Sequence, residues 1–125
     1  FMKSGYADGF VIPVLKKNLK AYFQMAKKAG KVWRDHGAID YKECAGDDLN
    51  VQCGLPFTKG IKLKKGETVV FSWITYKSRK HRDQVNAKVM KDPRLSSICP
   101  AQSGKEMPFD VKRMMYAGFK VIVSA

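Results

Sequence analysis

The sequence predicts an α+β fold built from two β-α-β halves, and three observations carry that prediction. Strand and helix periodicities run in the order β-α-β, long connection, β-α-β. Each half holds one helical segment, and the strongest strand is apolar on both of its faces. A length of 125 residues fits a single domain spanning 1–125, enough to bury roughly two-thirds of the unfolded chain's surface. With 45% hydrophobic and 28% charged residues, the composition is that of a globular protein.

Residues 6–15 read as the first strand. Tyr6, Asp8, Phe10, Ile12 and Val14 share one parity, and Ala7, Gly9, Val11 and Leu15 on the other carry no charge. Pro13 cannot donate to a ladder, which predicts an edge position or a strand end. Asn18 is the expected N-cap of a helix in which Leu19, Tyr22, Phe23, Ala26, Ala29 and Trp33 form the inner stripe. That helix should stop at Asp35-His36-Gly37, with Gly37 at C′ and His36 in the cation-favouring last turn. Gly30 inside it is a mild cost. Ile39 to Ala45 alternates as a second strand, with Ile39, Tyr41 and Glu43 on one side.

Residues 46–66 form a long connection rich in Gly, Asp and Lys, and residues 64–67 (Lys-Lys-Gly-Glu) turn into the next strand. Thr68 to Tyr76 is β-branched and aromatic on both parities. Ser78 caps a second helix running to about Met90, with Val85 and Val89 inward, ending before Asp92-Pro93. Residues 94–110 are mixed, with a short helical turn near Leu95 to Ile98, and Met114 to Val123 is the fourth strand. This order specifies a ferredoxin-like βαββαβ arrangement, an antiparallel four-stranded sheet with two helices on one face. Such a sheet should alternate apolar and polar residues. Val69, Phe71 and Trp73 oppose Val70, Ile74 and Tyr76 instead, so a second layer is expected on the helix-free face.

Composition removes several functions. No apolar run approaches the ~18 residues of a membrane span, and the N-terminus lacks the apolar core of a signal peptide; Phe1 ahead of Met2 reads as an addition to a start at Met2. Cys44, Cys53 and Cys99 cannot all pair within one chain, and a reduced, cytoplasmic protein is expected. His36 and His81 are the only histidines, with no Cys or carboxylate at ligand spacing from either, so no metal and no cofactor is expected. Phosphate-loop, dinucleotide and nucleophile-elbow motifs are absent from the sequence. A formal charge of +13 attracts anions. The aromatic string of RNA-reading sheets is missing, however, so non-specific rather than specific nucleic-acid binding is expected.

Polar residues on apolar elements are the pocket candidates: Asp8 on the first strand, His36 ending the first helix, His81 and Arg82 opening the second, and Trp73 and Tyr76 on the strongest strand. Bland roles compete with each. His36 suits a helix C-terminus, His81 a solvated first turn, Asp8 an ion pair, and the two aromatics a core or dimer contact.

Several strings go further. Residues 8–14 (DGFVIPV), 26–33 (AKKAGKVW), 70–74 (VFSWI), 76–79 (YKSR), 82–90 (RDQVNAKVM), 92–94 (DPR) and 107–110 (MPFD) resemble the YbaA-like family, domain of unknown function 1428. The resemblance runs from about residue 5 to 123 and is thinnest at 47–60 and 96–106. It implies a dimeric α+β barrel, two ferredoxin-like sheets packed face to face, with no assigned reaction. The expectation is therefore a cytoplasmic homodimer, joined through the helix-free sheet face, that binds a small organic or anionic ligand between sheet and helices. The alternatives are a small cofactor-independent enzyme, monooxygenase- or isomerase-like, and a basic protein binding nucleic acid without sequence preference.

Overall fold

The computed structural model describes residues 4–98 and 107–125; Phe1, Met2 and Cys99 lie outside the described residues. Strands β1 (Tyr6–Leu15), β2 (Asp40–Ala45), β3 (Glu67–Tyr76) and β4 (Met115–Lys120) form one antiparallel sheet in the order β2-β3-β1-β4. Helices α1 (Leu19–Asp35), α3 (Arg79–Lys91) and α4 (Pro93–Ile98) pack on one face, and the short α2 (Phe57–Gly60) lies within the long connection. The fold is the expected ferredoxin-like α+β arrangement. No described helix is long and apolar enough to cross a membrane.

The register settles which parity faces the helices. Crossing the sheet from β2 to β4, one row reads Glu43, Ser72, Phe10, Tyr116 and the next reads Tyr41, Ile74, Asp8, Gly118. These belong to the helix-covered face, where Tyr6, Ile12, Val14, Val70, Ile74 and Tyr76 are buried against Tyr22, Ala26, Val32, Val85 and Val89. The opposite face carries the row Cys44, Phe71, Val11, Met115, followed by Trp73 and Phe119 on the same side. Phe71, Met115 and Phe119 are 43%, 55% and 58% exposed there. Part of this second face is covered by the chain's own connection: Phe57 of α2 meets Phe71 edge-on, with ring centroids 6.2 Å apart.

Four local expectations change. β1 is a central strand, and Pro13 is tolerated because β4 pairs only with Tyr6 to Val11 and has ended before it. Asn18 precedes α1 but makes no side-chain cap bond, because a single 3-10 turn over Lys16–Asn18 already leads the backbone into the helix. β4 stops at Lys120, short of Val123. Gly30 is a packing requirement rather than a cost: a Cβ there would sit 2.8 Å from the Tyr41 ring, so glycine lets α1 close on β2. Other signals hold as read. The Ser78 hydroxyl accepts from the His81 N–H at 3.1 Å, and Gly37 ends α1 with φ 112°.

The C-terminus of α1 is tied to the α3–α4 junction by charge. Asp92 Oδ2 lies 2.7 Å from His36 Nε2 and accepts from Arg94 Nη2 at 2.8 Å, and Arg94 Nη1 also reaches Asp35 Oδ2 at 2.8 Å. The Arg94 hydrogen bond, then that of His36, holds the Asp92 carboxyl far below its ordinary 3.8. Because the folded value lies below the unfolded one, this contribution is complete above the ordinary value and is lost as pH falls toward the folded value. Asp92→Asn should therefore lower the melting temperature at pH 7. It should also flatten the loss of stability below about pH 4, read from unfolding curves between pH 2 and 7; equal acid sensitivity in both proteins would contradict the assignment.

Gly30→Ala gives a second check. Helix propensity alone favours Ala by about 1 kcal/mol, whereas overpacking against Tyr41 costs about 1–3 kcal/mol. Urea unfolding should show a net loss of about 1 kcal/mol. A gain in stability would mean that the ring yields freely.

Candidate functional site

A carboxylate on the inner face of a central strand needs a counter-charge. Asp8 is 1% exposed, and its Oδ1 accepts from Arg82 Nη1 at 2.6 Å. Arg82 reaches it because Ser78 starts α3 directly after β3, which puts the helix's first turn over β1 and β4. The same guanidinium donates to the Tyr116 hydroxyl at 3.1 Å and to Asp83 Oδ1 at 2.8 Å, and lies 5.1 Å from the Tyr6 ring centroid. Gly118 provides the room: a Cβ there would come 3.0 Å from Arg82 Nη1 and would strike the Tyr6 hydroxyl. Burial favours losing the Arg82 charge, but the Asp83 hydrogen bond and the Asp8 charge outweigh it and push its pKa above that of an ordinary guanidinium. Burial, reinforced by the Asp8 charge, raises both Tyr76 and Tyr116, so both phenols keep their protons.

A second polar centre occupies the neighbouring row. Glu43 of β2 accepts from Tyr22 Oη at 2.9 Å and from Tyr41 Oη at 2.7 Å, with Ser72 hydrogen-bonded beside them. Burial raises its pKa, and the hydrogen bonds from Tyr41, Tyr22 and Ser72 only partly oppose this. Strand spacing and rise put Glu43 and Asp8 roughly 12 Å apart, Cα to Cα, too far to share a proton.

Between the two centres lies a cavity of about 380 Å³. Phe10, Ser72, Ile74 and Tyr116 form its floor, Ala29 and Trp33 of α1 one wall, and Asn86 and Leu95 the α3–α4 side. Asn86 Oδ1 accepts from Trp33 Nε1 at 3.0 Å and from Tyr76 Oη at 3.4 Å. Most of the lining is apolar, and Asp8, Glu43, Ser72, Asn86 and Tyr116 supply the convergent polar atoms. Glu43 and Tyr41 also line an outer groove of about 430 Å³ between α1 and β2, rimmed by Lys27, Lys31 and Arg34.

Of the candidate residues, Asp8 contacts Arg82 and Tyr76, and Asp8 alone of the three lines the cavity. Trp73 does not join them: its odd parity on β3 puts it on the helix-free face, where its ring lies 5.6 Å from Phe71. His81 touches the edge of Tyr76 at 6.0 Å, while its Nδ1 accepts from the Lys77 N–H at 2.9 Å. Burial and then the charges of Lys77 and Lys88 lower its pKa, so it works as a neutral brace for the start of α3. His36 is engaged with Asp92. Glu43, Tyr22, Tyr41, Tyr116 and Gly118 escaped sequence reasoning. The reasoning that singled out Asp8, an acid on an apolar strand parity, applies equally to Glu43 beside Ile39 and Tyr41. Gly118 left no signal, because its role exists only when β4 lies under Arg82. Among the described residues, no group of three His, Cys, Asp or Glu side chains could hold a metal ion.

Comparison with known proteins fits this picture. The uncharacterized protein YbaA of Escherichia coli strain K12 is 41% identical over 118 residues, covering 94% of this chain and 97% of YbaA. The Shigella flexneri YbaA gives the same figures. Among solved structures, a hydantoinase/carbamoylase family amidase from Burkholderia ambifaria aligns with 96% of this chain but 28% of its own, at 10% identity and a TM-score of 0.35. This chain therefore spans little more than a quarter of that protein, and so low a score supports no inference. The family model described as protein of unknown function DUF1428 matches residues 5–111, and with the YbaA identity this places the chain in the DUF1428 family.

Proposed function

We propose that this protein binds a small, neutral organic molecule with an aromatic or apolar body in the cavity between sheet and helices. The single observation that carries the reading is an apolar space of about 380 Å³ that has convergent polar groups at both ends. An anionic ligand fits less well. The guanidinium of Arg82 is already engaged by Asp8 and Asp83, and Glu43 stands at the other end. Free thiols at Cys44 and Cys53 support a reducing compartment such as the cytoplasm.

A second copy of the chain is the partner we propose for the helix-free face. Phe71 and Met115 stand exposed there in one row, and Phe119 two rows further along the same face. Four strands about 4.8 Å apart and some 20–30 Å long present a face of several hundred Å². That is comparable to the ~300–600 Å² of the largest apolar patch on a typical monomer, a size often given to a binding partner.

Both readings are testable. In a Trp73→Phe background, Trp33 reports from the cavity wall, and its emission should change on titration with 4-ethylphenol. Benzoate should bind at least tenfold more weakly, because its charge would be buried without a free partner. Met90→Trp, at a mostly exposed lining position, should weaken 4-ethylphenol binding at least fivefold without lowering the melting temperature. No response to either compound, with no co-purified molecule in native mass spectra, would remove the binding reading. For the partner, light scattering at micromolar concentration should give twice 14.1 kDa, and Phe119→Lys should reduce that mass or unfold the protein. A folded wild-type monomer would refute the dimer.

A further inference from the structure

We propose that Glu43 is the proton-transferring group of this cavity, taking a proton from the carbon next to the carbonyl of a bound neutral ketone or aldehyde and returning it. The inference deepens the binding reading above and rests on it.

Position is the first argument. Glu43 lines the cavity and, together with Tyr41 and Ala26, also lines the outer groove between α1 and β2. The groove is more open than the cavity and is rimmed by exposed Lys27, Lys31 and Arg34. One carboxyl group therefore faces a mostly apolar cavity on one side and a more open, polar-rimmed groove on the other. A side chain that shuttles protons between ligand and solvent needs that placement. Asp8 lacks it: it lines only the cavity, and Arg82 neutralises it.

Chemistry is the second. Tyr22 and Tyr41 each donate to one oxygen of Glu43, at 2.9 and 2.7 Å. Ser72 adds a third hydrogen bond, and the lone pair that these donors leave open is available to a C–H beside it. Removing that proton breaks the C–H bond, forms an O–H bond on Glu43 and moves the electron pair onto the carbonyl oxygen as an enolate. The newly protonated Glu43 needs its phenol donors less, and one of them can turn to the enolate oxygen. Tyr22 is available as a neutral O–H donor, since burial and the Glu43 charge keep its proton on the phenol. Returning the proton from Glu43 to the same carbon restores the carbonyl compound, and returning it to the γ-carbon of a conjugated dienolate gives the isomer. The balance closes without an oxidant, a metal or a cofactor. Burial also brings the carboxyl closer to neutral pH than an exposed one, which favours both halves of the exchange.

The test follows deuterium incorporation into 4-phenyl-2-butanone in heavy water by proton NMR, with binding of the same probe read from Trp33 in the Trp73→Phe background. Wild type should exchange the protons next to the carbonyl at least a hundredfold faster than buffer, in line with the ~10²–10⁴ range of positioned bases. Glu43→Gln should bind the probe but exchange at the buffer rate. Tyr22→Phe, which leaves the carboxyl and Tyr41 in place, should fall in between and serves should Glu43→Gln fail to fold. If wild type binds the probe without accelerating exchange, or if folded Glu43→Gln or Tyr22→Phe matches wild type, the inference is wrong while the binding reading stands. If the probe does not bind at all, the binding reading fails for ketones and this inference falls with it.

Discussion

Asp8 sits on a central strand with 1% of its surface exposed, and much of the architecture follows from what that carboxylate requires. An unpaired buried charge is not tolerated, and removing one partner of such a pair costs about 3–5 kcal/mol. Arg82 must therefore lie in the first turn of α3, and α3 must start immediately after β3 so that this turn covers β1. β4 must pass beneath the guanidinium with glycine at 118 and a phenol at 116. Ser78 and His81 then fix the beginning of the helix. One ion pair thus connects both halves of the chain, and the sheet cannot be rebuilt in another order without orphaning it.

The two faces of the sheet do different work. On the covered face, side chains from β1, β2, β3 and β4 alternate between core and polar centre; α1 lines the cavity with Met25, Ala29 and Trp33 and presses close to β2 at Gly30. The uncovered face is built from Val11, Phe71, Trp73, Met115 and Phe119 and has no polar centre of comparable burial. Among the described residues, only the short α2 reaches it, where Phe57 meets Phe71. The single sheet thus carries a helix-covered face with polar centres and a second face that is mostly apolar.

Glu43 shows how the same sheet supports chemistry as well as shape. Its carboxyl group stands one row from Asp8 in the register, yet the two environments differ in kind. Asp8 is paired with a cation. Glu43 has only neutral donors, so burial is not offset by charge and its proton affinity rises. One acid beside an arginine and the other beside two tyrosines give one sheet two carboxylates in different electrostatic settings.

The sequence by itself determined the element order, the ferredoxin-like topology, the Ser78 and Gly37 helix signals and the need of a strand acid for a counter-charge. All of these follow from local periodicity, from capping chemistry and from the rule that a buried charge needs a partner. Parity assigned residues to two faces but could not say which face the helices cover, so Trp73 was grouped with Asp8 although it lies on the far side. That choice depends on the handedness of crossovers acting on the whole sheet, not on any one strand. Tertiary structure alone decided the rest. Gly30 and Gly118 matter because of side chains distant in sequence that approach them, and Glu43 becomes a proton-transfer candidate only once Tyr22 of α1 and Ser72 of β3 close around it. Close approach between distant segments leaves no periodic trace, which is why those residues could be read only from the folded chain.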